Sequence, residues 1–271
     1  MNVGVAGLGL IGGSLALALK SRHRVTGFDV DPRTRDAARA AGVDIVDRLE
    51  DVLPADVAIV ATPLASIVTT LASLSERGGS AVLVEVGSLK AAVAAFAETA
   101  PETARIVGVH PMAGATTAGF AAARADLFRD RPFLIVPTAR SDASAMAIAG
   151  DIARDAGGVA TVCSAVVHDR AMAYLLAAPL AAASALAVAG AEAGPLLRLA
   201  GPGFRDTTRL AGTPLDLAEQ LLSANAGNVV AALAALRTVL QEIEGAVADR
   251  DRDALRGLLG RAAETRGSLD P

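Results

Sequence analysis

The segment Gly-Leu-Gly-Leu-Ile-Gly, near the start of the chain, constrains the possible folds more than any other feature of the sequence. An apolar β-type run precedes it and a helical run follows it. In this context the first glycine permits a tight turn, the second lets main-chain N–H groups reach a pyrophosphate, and the third lets the helix pack closely on the strand. The pattern predicts a dinucleotide at the helix N-terminus. The residues that we expect at this site are Gly7, Gly9, Leu10, Ile11 and Gly12.

An acidic residue closes the second predicted strand, Arg-Val-Thr-Gly-Phe-Asp-Val. This residue, Asp29, can accept hydrogen bonds from a ribose diol and would repel a 2′-phosphate, so the sequence favours NAD over NADP. Arg33 and Arg35 lie near enough in sequence to keep NADP open as an alternative. We interpret both arginines as part of the solvated face of the second helix.

Short β-type runs alternate with helical runs up to about Ser164, which predicts a parallel sheet covered by helices. Beyond that point the pattern is helical throughout, with predicted helices over about 165–190, up to 200, over 214–247 and from 251. We therefore predict an α/β, doubly wound, mostly parallel Rossmann domain at residues 1–164. An all-α domain is predicted at residues 165–271. Thr62 and Pro63 end one predicted strand and are expected beside the cofactor.

Composition excludes several kinds of partner. The net charge is −4 and the basic residues are scattered singly, which leaves no basic surface for nucleic acid or an anionic membrane. The lone Cys163 can form no internal disulfide and gives no metal-ligand spacing, so we expect a cytoplasmic protein without a metal site. The apolar N-terminus lacks the basic segment of a signal peptide, and its glycines are regularly placed.

A run without charge extends from Ala171 to Ala191 and is long enough to cross a bilayer. Most of its residues are alanine, which gains little from lipid, and it contains Tyr174 and Pro179. We predict that it forms the buried central helix of the second domain.

His110 follows the strand-like run Arg-Ile-Val-Gly-Val, so it is expected at the carboxyl edge of the sheet. Pro111 restricts the histidine backbone to an extended conformation. An imidazole beside a nicotinamide predicts general-base catalysis, and Ser88, which follows another strand, could orient the ring or the substrate. The alternative is a histidine hydrogen-bonded into a loop. His168 is expected to cap a helix or to join the two domains.

The segment Gly-Pro-Gly-Phe-Arg-Asp-Thr-Thr-Arg-Leu-Ala-Gly offers a site for an acidic substrate. Arg205 and Arg209 can each bind a carboxylate through two parallel hydrogen bonds, and Asp206 could hold one of them in place. A surface loop with an ion pair is the alternative.

The chain resembles the prephenate and arogenate dehydrogenases of tyrosine biosynthesis through the motifs quoted above. The resemblance also includes Glu-Val-Gly-Ser-Leu-Lys, His-Pro-Met-Ala-Gly and His-Asp-Arg-Ala-Met-Ala, in the family's order. It implies a Rossmann domain followed by a helical domain that forms a homodimer. It also implies that His110 accepts the proton from the substrate C4 hydroxyl, that Ser88 bonds at the same centre, and that Arg209 binds a substrate carboxylate. Loss of hydride and CO2 then makes the ring aromatic.

Two departures from the family pattern concern the substrate side chain. Family members commonly carry Ser-His-x-Pro-His where this chain has Leu-Ala-Ala-Pro-Leu, ending at Leu180, and often a glutamate where Thr116 stands. Leu180 cannot donate a hydrogen bond, and a polar group left unpaired on burial costs about 1 to 3 kcal/mol. We predict NAD-dependent oxidative decarboxylation of prephenate to 4-hydroxyphenylpyruvate, with arogenate and 4-amino-4-deoxyprephenate open as substrates.

Two other classes of function remain open from the residues alone. A β-hydroxyacid dehydrogenase shares the two-domain layout, but such enzymes usually use a lysine of the helical domain, and the lysines here are Lys20 and Lys90. A non-catalytic NAD-binding regulatory module would explain the missing family histidines. The extent of the apolar helical domain predicts a homodimer.

Overall fold

A computed structural model describes residues 1–77, 79–115 and 117–269. Its central feature is an eight-stranded sheet. The strands are β1 (Asn2–Ala6), β2 (Arg24–Phe28), β3 (Asp44–Ile45), β4 (Val57–Val60), β5 (Val82–Glu85), β6 (Arg105–Pro111), β7 (Pro132–Pro137) and β8 (Val159–Val162). β3, with two residues, is not predicted by the sequence pattern, because so short a run shows no alternation.

The strand order is β3-β2-β1-β4-β5-β6-β7-β8. The first six strands are parallel, and their order 3-2-1-4-5-6 is that of a dinucleotide-binding domain. β7 runs antiparallel to β6, and β8 runs parallel to β7. The predicted doubly wound, mostly parallel sheet is confirmed. Its order reverses between β1 and β4, where such sheets bind their ligands.

Five helices connect the strands and cover both faces of the sheet: α1 (Leu10–Leu19), α2 (Pro32–Ala40), α3 (Leu64–Glu76), α4 (Ala91–Thr99) and α5 (Ala143–Asp155). α2 begins as its sequence predicts, because the Asp31 side chain accepts a hydrogen bond from the Arg33 N–H and Pro32 takes the first helical position. β4 and β5 are buried along their whole length, as expected of parallel strands covered on both faces.

After β8 the chain is helical. This part comprises α6 (Ala165–Met172), α7 (Ala178–Gly190), α8 (Pro202–Thr207), α9 (Leu215–Ser223), α10 (Ala226–Ala248) and α11 (Arg252–Gly267). The predicted helix over 214–247 is divided into α9 and α10. Asn225 lies between them, and its side-chain amide donates a 2.7 Å hydrogen bond to the main-chain oxygen of Asp169.

The apolar run Ala165–Leu199 is helical and, by length and composition alone, could cross a membrane. It is not uniform, because a π-helical turn (Ala173–Ala177) precedes Pro179 and the backbone leaves the helical region at Gly194. Only 28% of its most apolar 18-residue stretch is buried, so the prediction of a buried central helix is wrong for the single chain. Large apolar side chains, among them Leu175 and Val188, are exposed on its surface.

The chain divides into two compact units, the first from Met1 to Asn225 and the second from Ala226 onward. The first unit contains the sheet and helices α1–α9. In the second unit α10 and α11 pack together, and Glu242 and Arg261 form an ion pair at 3.6 Å between them. The predicted domain boundary at 164–165 follows the change from alternating to helical structure and stays a prediction.

Candidate active site

A cavity of about 870 Å³ opens at the carboxyl ends of the parallel strands, within the first unit. At one end it is lined by the glycine-rich turn after β1, by Asp29 after β2, and by Thr62 and Pro63 after β4. At the other end it is lined by Ser88, His110, Leu176 and Arg209. We name these the cofactor end and the catalytic end. The fold therefore brings together residues that the sequence distributes over 203 positions, from Gly7 to Arg209.

The turn at the cofactor end has the geometry that a pyrophosphate requires. Gly7 has a φ of +90°, which side chains other than glycine rarely adopt. A Cβ at Gly12 would lie 1.9 Å from the Gly7 carbonyl oxygen, so α1 packs against β1 more closely than any side chain permits. Space is open above Gly9, the first residue before α1, and no side chain caps the helix there among the described residues. These features fit a dinucleotide phosphate bound to the N–H groups of α1.

Asp29 is fixed at the same end by main-chain donors. Its carboxylate accepts hydrogen bonds from the Leu8 N–H at 2.8 Å and the Asp31 N–H at 2.9 Å. Arg35 donates to the main-chain oxygen of Asp29 at 2.7 Å, so this arginine is bound to the protein itself. The arrangement suits a ribose diol facing the remaining lone pairs of the carboxylate, and the side chain of Arg35 is turned to the main chain beside it.

His110 lies near the carboxyl end of β6, is 6% exposed, and lines the cavity. Its Nδ1 is 3.0 Å from Nε2 of His168, which leaves the other ring nitrogen of His110 for a ligand. Ser88 lines the same part of the cavity and makes no side-chain hydrogen bond among the described residues. A base and a free hydroxyl therefore face one space at the catalytic end.

His168 is itself held by an acidic neighbour. Its Nδ1 lies 2.6 Å from Oδ1 of Asp169, and that carboxylate also accepts hydrogen bonds from the N–H groups of Lys90 and Ala91 at the start of α4. Because a carboxylate only accepts, we assign the proton to Nδ1 of His168, which makes its Nε2 an acceptor. His110 must then carry its proton on Nδ1, and its Nε2 is a free base.

This hydrogen-bonded chain was missed in part by the sequence reasoning. The sequence predicts that His168 caps a helix or joins the two predicted domains; it does join residues 165–271 to the sheet, but by bonding directly to the His110 ring, a partner that the sequence does not predict. Asp169 was not singled out. The adjacent pair His-Asp at the start of a helix is a signal in retrospect, but only the fold shows that it faces a residue 58 positions earlier.

Burial and hydrogen bonding set the pKa values of His110 and Asp169. Burial lowers the pKa of His110 well below 6.5, and the nearby positive charge of Lys90 lowers it further. For Asp169 burial raises the pKa, but hydrogen bonds from His168 and from the two N–H groups outweigh burial and hold the pKa below its usual value. The site thus contains a neutral imidazole backed by an ionised carboxylate.

The structure separates the residues predicted to bind the substrate. Arg209 lines the cavity and makes no ion pair among the described residues, whereas neither Arg205 nor Asp206 lines it. Arg205 donates instead to the main-chain oxygen of Ala200 at 2.9 Å. Leu180, in α7, is buried and does not line the cavity, whereas Leu176, in the π-helical turn before α7, does. Thr116 lies outside the described residues.

Comparison with known proteins identifies the family. Residues 15–162 match the family model described as the nucleotide-binding domain of prephenate dehydrogenase. Residues 164–261 match the model described as its dimerization domain. The chain belongs to the prephenate dehydrogenase family.

Individual members of this family resemble the chain over nearly its whole length. The cyclohexadienyl dehydrogenase of Zymomonas mobilis is 30% identical over 94% of this chain and 91% of its own. A probable prephenate dehydrogenase of Streptomyces niveus is 32% identical over 91% of this chain and 70% of its own. The crystal structure of Synechocystis arogenate dehydrogenase matches with 28% identity and a TM-score of 0.85, covering 99% of this chain and 100% of that one.

Membership of the prephenate dehydrogenase family confirms the predictions of an oxidoreductase and of NAD as its cofactor. It argues against the two alternative functions left open by the sequence, a β-hydroxyacid dehydrogenase and a non-catalytic regulatory module.

Proposed function

We propose that the protein catalyses the NAD-dependent oxidative decarboxylation of prephenate to 4-hydroxyphenylpyruvate. The observation that carries the proposal is His110, which lines the cavity containing the glycine turn while its Nδ1 is occupied by His168. The remaining nitrogen can act only toward a ligand in that cavity. Ser88 and Arg209, in the same lining, supply a hydroxyl and a cation.

In the proposed mechanism Nε2 of His110 takes the proton from the hydroxyl on ring C4 of the substrate. Bound NAD supplies the acceptor for the hydride that leaves the same carbon. The imidazolium that forms is stabilised through His168 by the carboxylate of Asp169, in the way that a buried acid supports the base of other catalytic triads. Ser88 donates a hydrogen bond to the C4 oxygen, where negative charge develops.

The electrons and protons of the reaction balance without a further reagent. Loss of the hydride and the hydroxyl proton makes C4 a carbonyl carbon, conjugated with the two ring double bonds that flank the carbon bearing the carboxylate. The bond to that carboxylate breaks, CO2 leaves, and its electron pair moves through the ring to the oxygen on C4. His110 returns its proton to that oxygen, which gives the phenol of the product.

The choice among three acids rests on the side-chain end of the substrate. Arg209 is the arginine that lines the described part of the cavity, so we assign it to the ring carboxylate, which all three acids carry. Leu176 and Leu210 line the wall nearby and offer no hydrogen bond to a pyruvyl or amino group. Prephenate is placed first because the family models and the Streptomyces niveus relative carry that name. Arogenate and 4-amino-4-deoxyprephenate are the alternatives.

The test is a spectrophotometric assay of NADH with each of the three acids at equal concentration. We expect the highest kcat/KM with prephenate. His110→Asn should reduce turnover by about 100- to 10,000-fold, the usual contribution of a general base, while NAD affinity stays unchanged. Turnover of none of the three acids by the folded protein, or full activity of His110→Asn, would contradict the proposed function.

We also propose a homodimer formed through the helical part of the chain. The match to a dimerization domain supports it, as do exposed apolar side chains such as Val188 on α7 and Val239 and Leu240 on α10. Burial of these surfaces by a second copy would explain why the apolar run is so exposed in the single chain. Light scattering at micromolar concentration should give twice the mass of the chain, and a monomer at that concentration would contradict the dimer.

A further inference from the structure

Lys90 is the most unexpected buried side chain of the structure. It is 1% exposed, and its Nζ lies 2.5 Å from Oε2 of Glu85, which is fully buried. The same ammonium group donates a 2.8 Å hydrogen bond to the main-chain oxygen of Gly87. Neither charged residue lines the cavity, and the proposed mechanism uses neither of them.

The Lys90–Glu85 pair closes the turn that carries Ser88. Glu85 is the last residue of β5, and its carboxylate also accepts a hydrogen bond from the Gly87 N–H. Lys90 then bonds to Glu85 and Gly87 from the other side of the turn. Ser88 therefore projects from a loop whose two ends are joined by a buried charged contact.

Lys90 also contacts the elements that carry His110 and Asp169. Its main-chain N–H donates to Oδ1 of Asp169 at 2.9 Å, and that same oxygen accepts the hydrogen bond from His168. Its side chain passes over β6 at Gly108, where an added Cβ would lie 2.9 Å from Cδ of the lysine. Any side chain at position 108 would therefore collide with the lysine. Gly108 lies two residues before His110 on the same strand, so Lys90 packs against the strand that carries the base.

We propose that Lys90 and Glu85 are positioning residues, which together hold the Ser88 hydroxyl and the Asp169–His168–His110 chain in one fixed geometry. The inference rests on the proposed function, because it concerns the base of that reaction. Neither residue is a catalytic residue, since each acts through the groups it holds.

The energetics favour a positioning role over a role in stability alone. Removing two charges from water is expensive, and replacing a buried ion pair by apolar side chains of similar volume is often neutral or stabilising. A pair kept for stability alone could therefore be replaced without loss. A pair that fixes the distance between two reacting groups could not, because small misplacements of catalytic groups are costly to rate.

The test uses the full-length enzyme with Lys90→Met, Glu85→Gln and the double variant, in which neither charge is left unpaired. Lys20→Met is the matched control, because it removes the other lysine of the chain, an exposed residue bonded to the Ala41 carbonyl. Measured quantities are the unfolding temperature, the Kd for NAD, and kcat and KM for the accepted acid between pH 5 and about pH 9.

We expect both single variants to unfold at lower temperature and the double variant to regain most of that loss. In the double variant kcat should still fall by about 10- to 100-fold with NAD affinity unchanged, because the reacting groups are no longer held. The acid limb of kcat/KM should move to higher pH, since the positive charge of Lys90 is lost. The other titratable or charged groups near His110 are His168, which contacts it, Asp169, which contacts His168, and Arg209 in the same cavity, and all are unchanged in these variants.

A double variant with the kcat and the pH profile of the wild type would overturn the positioning role. So would a loss of kcat that follows the unfolding temperature alone. These outcomes are distinct from failure of the proposed function, in which the wild type turns over none of the acids or His110→Asn stays active.

Discussion

At the cofactor end of the cavity the ligand meets mainly main-chain atoms, whereas at the catalytic end it meets side chains from four separate segments. The turn at Gly7 and Gly9 presents N–H groups of one short stretch of chain. Ser88 lies in a loop, His110 in a strand, Leu176 in the π-helical turn and Arg209 at the start of a 3-10 helix (Arg209–Gly212). Main-chain geometry follows from local sequence, while the meeting of distant side chains follows only from the complete fold. The two ends should therefore respond differently to substitution.

The largest expected effect is at the catalytic end, with Asp169→Asn. The asparagine amide can donate to Nδ1 of His168, which places the imidazole proton on Nε2 and reverses the direction of the hydrogen bond to His110. His110 then loses the free lone pair on Nε2. We expect kcat to fall by about 100- to 10,000-fold, as for the buried acid of a catalytic triad, with NAD affinity unchanged.

Asp142→Asn is the matched control for that substitution. Asp142 also accepts hydrogen bonds at a helix start and pairs with Arg105, which lowers its pKa to about 2, but it does not line the cavity. We expect its kcat to equal that of the wild type. Equal loss of kcat in both variants would attribute the effect at Asp169 to helix capping.

Arg209→Ala should give the next largest effect and change KM rather than NAD affinity. A charge-assisted hydrogen bond contributes about 1.5 to 3 kcal/mol, so KM should rise by about 10- to 150-fold. The increase should be similar for every accepted acid, because the ring carboxylate is common to them. Arg205→Ala, outside the cavity lining, is the control and should leave KM unchanged. A change confined to one acid would assign Arg209 to the side-chain end.

Asp29→Asn tests the cofactor end and should have a smaller effect. The amide keeps a hydrogen-bonding group but loses the charge, and a typical hydrogen bond contributes about 0.5 to 1.5 kcal/mol, so the Kd for NAD should rise by about 2- to 12-fold. Affinity for NADP should increase, because the repulsion of a 2′-phosphate is removed. Asp36→Asn, on the exposed face of α2, should change neither. An unchanged ratio of NAD affinity to NADP affinity in Asp29→Asn would show that Asp29 does not select the cofactor.

The smallest effect is on the pH profile of the wild type. His110 acts as a base only when neutral, and burial holds its pKa well below 6.5. The neutral form therefore predominates at pH 6.5 and above, and kcat/KM should fall only as the pH decreases below that value. If kcat/KM instead fell with a midpoint at about pH 6.5, as for an unperturbed histidine, that result would contradict the buried environment of His110.

The parts that could be predicted from sequence are those with local causes. The glycine turn and the Asp31 and Pro32 start of α2 follow from neighbours in the sequence. The hydrogen bond between His110 and His168 could not be predicted, because it depends on packing a helix of the second half against the sheet. The role of Arg205 was similarly beyond sequence reasoning, since two arginines four positions apart differ only in where the turn directs them.

The reversal of direction between β6 and β7 divides the sheet into two parts that differ in their relation to the cavity. Strands β1, β2, β4, β5 and β6 deliver their carboxyl ends to the cavity, while β7 and β8 begin on that side and end on the other. We therefore expect substitutions at the carboxyl ends of the first group to alter binding or rate, and substitutions at the carboxyl ends of β7 and β8 to alter packing alone.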